Sequence, residues 1–144
     1  MKLTGAEKRW ASCIFDTIFP SGAEAALPVG ASGVPMRRFL DNVAARAPLD
    51  AVLGLRAATF IIFWFGALFI GRIGSFAALD TSRRLAVLDR MAHHPVYLVR
   101  ELPMLMKTMG AMGYGGVPLI QQQVGVTRID ASPPDWADGS RTTP

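Results

Sequence analysis

Apolar side chains recur at helical spacing from the start of the chain. Thr4 is followed three residues later by Glu7, which is the spacing of a capping box, where each residue bonds the other's backbone N–H. Trp10 and Ile14 then begin an apolar repeat of three and four residues, which places one face of a helix toward a core. The pattern predicts a first helix over about residues 5–19.

The same spacing returns after a loop rich in proline, glycine and serine. Asp80 or Thr81 is expected to cap one of the later helices. Gly110 and the glycines that follow it are expected to end the last helix. The predicted elements after the loop span about residues 35–47, 49–71, 81–94 and 95–109.

Residues 49–71 form the most apolar segment. Between Arg56 and Arg72 lie fifteen residues without a charge, AATFIIFWFGALFIG. As a helix this run spans roughly 22 Å, which is short of the ~30 Å hydrocarbon core of a bilayer. Two interpretations stay open: a core helix surrounded by the others, or a helix with one side in the domain and the other against a partner or lipid. Its aromatic and β-branched content would also suit a strand.

The predicted fold class is all-α, a single compact bundle of about five helices with an irregular C-terminal tail. The helical domain is expected to cover residues 1–126, and 144 residues are enough to bury a core. Residues 127–144 contain Ser-Pro-Pro, Asp-Gly and Thr-Thr-Pro. We expect them to form an extended or disordered tail.

The composition leaves apolar surface without enough charge to cover it. Hydrophobic residues make up 51% of the chain and charged residues 18%, against about 25% charged in a typical soluble domain. Soluble monomers seldom expose large apolar patches, so a partner protein, a membrane or both are expected to cover the excess. The net charge of +4 comes from basic residues scattered in ones and twos, which argues against nucleic-acid binding.

The residues that usually carry chemistry do not form a recognisable catalytic set. His93 and His94 are the only histidines, and neighbours on a helix point about 100° apart, so they do not share a metal as an i, i+4 pair can. Cys13 is the single cysteine, and its apolar neighbours predict a buried structural thiol. We therefore predict no catalytic, cofactor-binding or metal-binding residue in this chain.

Nine residues are the candidates for contact with a partner or a membrane. Six belong to the charge-free run, two are methionines of the predicted last helix, which offer an adaptable apolar surface, and one is a tyrosine that follows this helix. The candidates are Phe60, Phe63, Trp64, Phe65, Leu68, Phe69, Met106, Met109 and Tyr114.

Several short patterns together resemble a known family. They are Ile18-Phe19-Pro20, Pro35 with Phe39 and Leu40, Phe76 with Leu79 and Arg84, Arg100-Glu101-Leu102 with Lys107, and Tyr114 with Pro118 and Val124-Gly125. Over about residues 6–126 the chain resembles the small helical subunit of bacterial membrane-associated flavoprotein dehydrogenases, the gluconate 2-dehydrogenase subunit 3 family. Similar helical segments precede the flavin domain of long-chain alcohol oxidases, which are glucose-methanol-choline oxidoreductases.

The resemblance implies an accessory role. Such a small subunit holds no redox centre; it binds and stabilises a large FAD-containing catalytic subunit, which oxidises an alcohol or sugar and passes electrons to a cytochrome c subunit or to quinone. FAD is therefore expected in the partner and no cofactor in this chain. The long apolar run adds a lipid-like or steroid-like alcohol to the expected substrates.

The N-terminus shows no export signal of its own. We therefore expect the chain in the cytoplasm or at the periphery of the inner membrane. A periplasmic location is expected only if a partner that bears a signal carries the chain across.

Two rival hypotheses come from the residues alone. One is a membrane-surface-associated helical protein without a redox role, whose apolar helix lies in the headgroup region with Arg56 and Arg72 at its ends. The other is an enzyme that binds a small hydrophobic ligand and uses His93 or His94 as its base.

Overall fold

A computed structural model describes residues 2–20, 30–116 and 120. This part of the chain contains five α-helices, three short 3₁₀ turns and no strand, which confirms the predicted all-α class and excludes the strand interpretation of the apolar segment. The tail predicted for 127–144 lies outside the described residues. The helices are α1 (Gly5–Ile18), α2 (Met36–Arg46), α3 (Leu49–Phe65), α4 (Thr81–Ala92) and α5 (Tyr97–Gly115), and the 3₁₀ turns are Ala31–Gly33, Gly66–Ile70 and Phe76–Ala78.

Side chains cap two of the helices as predicted. The Thr4 hydroxyl accepts the backbone N–H of Glu7 at 3.2 Å, and Glu7 in return accepts the backbone N–H of Thr4 at 2.7 Å. At the start of α4, Asp80 accepts the backbone N–H of Arg83 at 2.9 Å. Both caps satisfy N–H groups that have no partner within the helix itself.

Helices α1 and α5 each contact the other four helices, and α3 lies on one side of the bundle. Helix α3 packs against α1 and α5, and α4 packs against α5 and the 3₁₀ turn that follows α3. All five helices therefore contribute side chains to one core. Its largest fully buried side chains are Phe15, Phe76, Ile14, Leu40, Leu55, Ile62, Met91 and Met106.

The predicted helix over 49–71 is wrong in its last turn. The α-helix ends at Phe65, and the chain tightens into the 3₁₀ turn Gly66–Ile70. Gly66 lies against α4 so closely that a Cβ there would stand 2.9 Å from Cγ1 of Val87. The charge-free run thus forms two elements, because its last residues pack across α4.

The predicted end of the last helix near Met109 is also wrong. Helix α5 continues to Gly115 because its glycines face aromatic rings of other helices. A Cβ at Gly110 would lie 2.7 Å from Phe19, and a Cβ at Gly113 would lie 2.7 Å from Phe39. Here glycine provides room for neighbouring rings within a helix, at the usual cost of glycine in helix interiors.

Substitution of two helical glycines should have opposite effects. A Cβ at Gly54 would meet only Cδ2 of Leu105, at an ordinary 3.8 Å, so Gly54→Ala should raise the free energy of unfolding by about 0.5–1 kcal/mol. Gly110→Ala forces the Phe19 ring to move and should lower the free energy of unfolding by about 1–3 kcal/mol. Urea unfolding followed by circular dichroism measures both; effects of the same sign would contradict the packing described for α5.

The carboxylate of Glu7 also joins α1 to α3. It accepts the Nε–H of Arg56 at 2.6 Å, and its side chain is only 15% exposed. Burial opposes ionisation of Glu7, but the hydrogen bonds from Thr4 and Arg56 together with the arginine charge outweigh it. The pKa of Glu7 is therefore held below its usual value.

Glu7→Gln should remove a stabilisation that depends on pH. A pKa lowered in the folded chain means that ionised Glu7 contributes stability above the unfolded pKa, about 4.3, and loses it as pH falls through the folded pKa. At neutral pH we expect the free energy of unfolding of the variant to be roughly 1 kcal/mol lower than that of the wild type. Urea unfolding across a pH series should show this difference shrinking in acid; a difference that stays constant would contradict the account.

Candidate partner-binding surface

The outer face of α3 is apolar and uncovered. At about 100° per residue, positions 49, 53, 57, 60 and 64 fall on one stripe of the helix. All five are exposed, including Leu53 at 52%, Phe60 at 47% and Trp64 at 46%. The opposite side is buried and carries Val52, Leu55, Ala58, Thr59, Ile62 and Phe63. Helix α3 is therefore not a core helix surrounded on all sides: one side faces the domain, and the other is open.

An aromatic cluster holds one end of this face in place. Trp10 of α1 lies 5.4 Å from Phe63, 5.6 Å from Trp64 and 6.3 Å from Phe60, measured between ring centroids. Phe65 lies 6.0 Å from Phe60. Sequence reasoning did not assign Trp10 to the surface, although its place in the apolar repeat of α1 shows that it faces a neighbouring helix. These rings are pre-arranged, so less side-chain freedom is lost when they bind.

The nine predicted contact residues divide into surface and core. Phe60, Trp64, Phe65 and Leu68 are exposed, and Phe69 and Met109 are partly buried. Three others require correction, because the chain's own helices cover them and leave little area for a partner. These are Phe63 at 7% exposure, Met106 at 0% and Tyr114 at 8%, the last stacked on Phe19 at 5.2 Å.

A groove runs between α3 and α5 beside the outer face. Its volume is about 610 Å³, within the range of ligand sites. Two small residues of α3, Gly54 and Ala57, line it together with Ile61, Leu98 and Leu105. Ala57 belongs to both the groove and the outer stripe, so the two form one continuous apolar surface.

Few charged groups lie near the outer face of α3. No carboxylate occurs between Ala51 and Leu79 in the sequence, whereas Arg56 and Arg72 do. Arg56 is paired with Glu7. The Arg56 charge is therefore neutralised, and the one charged side chain among the described residues that line the adjoining groove is the carboxylate of Glu101.

The two histidines and the cysteine do not line the groove. His93 Nδ1 lies 2.9 Å from the carbonyl oxygen of Asp89 and 3.3 Å from its carboxylate, and His94 Nδ1 accepts the backbone N–H of Val96. Cys13 is half-buried, and burial raises the pKa of its thiol, which makes it a poorer nucleophile. Among the described residues no group of three or more His, Cys, Asp or Glu side chains could hold a metal ion.

One stretch is long and apolar enough to cross a membrane by length and composition. It is Leu49–Ile70, which includes α3 and the turn after it, and 39% of its most apolar part is buried inside the chain. Core helices of soluble proteins meet the same criterion, so the stretch does not decide between lipid and protein contact.

No family model matches the chain, and neither a curated protein nor a solved structure matches it.

Two adjacent aromatic residues should respond differently to truncation. Phe63→Ala empties a buried site and should lower the free energy of unfolding by about 3–5 kcal/mol. Trp64→Ala removes a half-exposed ring and should cost roughly 1 kcal/mol. Thermal and urea unfolding of the isolated variants measure this; equal losses would contradict the orientation of α3.

Proposed function

We propose that this protein is a non-catalytic accessory subunit that binds a larger protein through the outer face of α3. The observation that carries the proposal is the exposed stripe of α3, an uninterrupted apolar row next to a pre-arranged aromatic cluster. Proteins seldom leave such rows in water unless another surface covers them.

The identity of the partner comes from the sequence resemblance. It points to a large FAD-containing dehydrogenase of the glucose-methanol-choline type, acting on an alcohol or sugar, and in view of the apolar surface on a lipid or steroid alcohol. A cytochrome c subunit or the membrane would complete the assembly. In this proposal the partner holds the FAD and performs the oxidation, while the present chain contributes stability.

The energetics of such a role are simple. About half of each of the Leu53, Phe60 and Trp64 side chains is exposed, so burying the remainder would release roughly 1 kcal/mol each before the costs of association are subtracted. A chain that binds only the folded partner stabilises it by about 2.7 kcal/mol when its free concentration is roughly a hundredfold above Kd. The partner would then lose stability, and not a catalytic group, when this chain is removed.

A second candidate function is association with a membrane surface. The Leu49–Ile70 stretch supports it, because its exposed side could enter the headgroup region. The α-helical part of this stretch has 17 residues, and about 26 Å of helix is short of a ~30 Å hydrocarbon core. Flotation of the lone chain with liposomes separates this function from the first.

Two matched leucines test the proposed function. Leu53 on the outer face of α3 is 52% exposed, and Leu85 on α4 is 49% exposed. We expect Leu53→Asp to abolish co-purification of the partner with tagged protein at native levels, and Leu85→Asp to leave it unchanged. Trp64→Asp should act like Leu53→Asp.

The material that co-purifies identifies the partner. A stoichiometric large protein with a flavin absorbance spectrum supports the proposal. Partner recovery that is unchanged by Leu53→Asp and Trp64→Asp would contradict the assigned surface, and a lone chain that floats with liposomes would contradict the accessory role.

A further inference from the structure

The groove between α3 and α5 contains one charge that its surroundings leave unpaired. Glu101 of α5 lines the groove and is half-buried, and no residue in the described part of the chain forms an ion pair or hydrogen bond with its side chain. The other polar group in the lining, the Thr108 hydroxyl, donates to the carbonyl oxygen of Met104 at 2.9 Å. Glu101 also borders a second pocket, beside Arg100 and Lys107, but forms no ion pair with either. Among the described residues that line the α3–α5 groove it is the one charged side chain, and an unpaired carboxylate there favours a cationic partner.

The shape of the groove fits a helix. It extends from Gly54 to Ile61 on α3 and from Leu98 to Thr108 on α5. The eleven residues from Leu98 to Thr108 span about 15 Å, or roughly three helical turns. Gly54 and Ala57 are small residues of its lining, and small side chains allow another helix to approach closely. An amphipathic helix in such a groove places apolar residues at i, i+3, i+4 and i+7 against it.

We infer that this groove receives an amphipathic helix of the larger partner, whose lysine or arginine pairs with Glu101. The inference rests on the proposed function, since it names the partner element that the apolar surface binds. A bilayer is a poorer occupant, because its surface does not enter a groove between two helices and lipid hydrocarbon would leave the Glu101 carboxylate without a partner.

A peptide selection tests the inference even while the partner protein is unidentified. The probe is a display library of helical peptides of about three turns, with apolar residues at i, i+3, i+4 and i+7 and all other positions randomised. The bait is the full chain. We expect enriched peptides to carry lysine or arginine at one edge position and to bind Glu101→Gln about tenfold more weakly, which corresponds to about 1.4 kcal/mol.

Two further variants control the experiment. Ala57→Phe fills the groove at an exposed position and should abolish binding, with the fold checked by circular dichroism. Asp41→Asn neutralises an exposed carboxylate on α2, which pairs with Lys8, and should leave binding unchanged. The inference would be overturned if the wild-type bait enriched peptides no more than the Ala57→Phe bait. It would also be overturned if the enriched peptides bound Glu101→Gln as tightly as the wild type.

The outcomes separate this inference from the proposed function. Peptides that need Glu101 while no flavoprotein co-purifies would support the groove assignment and count against the flavoprotein partner. A flavoprotein that co-purifies equally with wild type, Ala57→Phe and Glu101→Gln would support the accessory role and refute the groove as its docking site.

Discussion

Helix α3 carries apolar side chains around most of its circumference, and the bundle covers only one side of it. α1 and α5 bury the side that includes Val52, Leu55 and Ile62, while Leu53, Phe60 and Trp64 remain in contact with water. Burial of apolar surface is the dominant favourable term in folding and in association. The apolar area of α3 that stays exposed after folding can therefore be buried when a second surface binds.

Contacts at the two edges of α3 determine which side stays open. Along one edge, the Glu7–Arg56 ion pair and the ring of Trp10 fasten the helix to α1. Along the other edge, Gly54 lies next to Leu105 of α5, and both residues line the groove. Rotation of α3 would break the first set of contacts, so the exposed aromatic residues are held in a fixed orientation that suits binding.

Local features of the fold could be predicted from the sequence, because each depends on residues a few positions apart. The Thr4–Glu7 box, the Asp80 cap and the existence of the five helices are of this kind. The ends of α3 and α5 could not, since they depend on Val87, Phe19 and Phe39 from elsewhere in the chain. The candidate surface was only partly predictable: a helix that is apolar all round gives no periodic pattern to show that Phe63 points inward and Trp64 outward. The identity of the partner remains a prediction.

The central claim is that a larger protein covers the outer face of α3. Hydroxyl-radical labelling of Trp64 and Leu53, compared between the isolated chain and the native assembly and normalised to Leu85 on α4, tests it most directly. The account predicts strong protection of Trp64 and Leu53 in the assembly and none of Leu85. Equal labelling of all three residues in both samples would show that the face stays open to water and would contradict the claim.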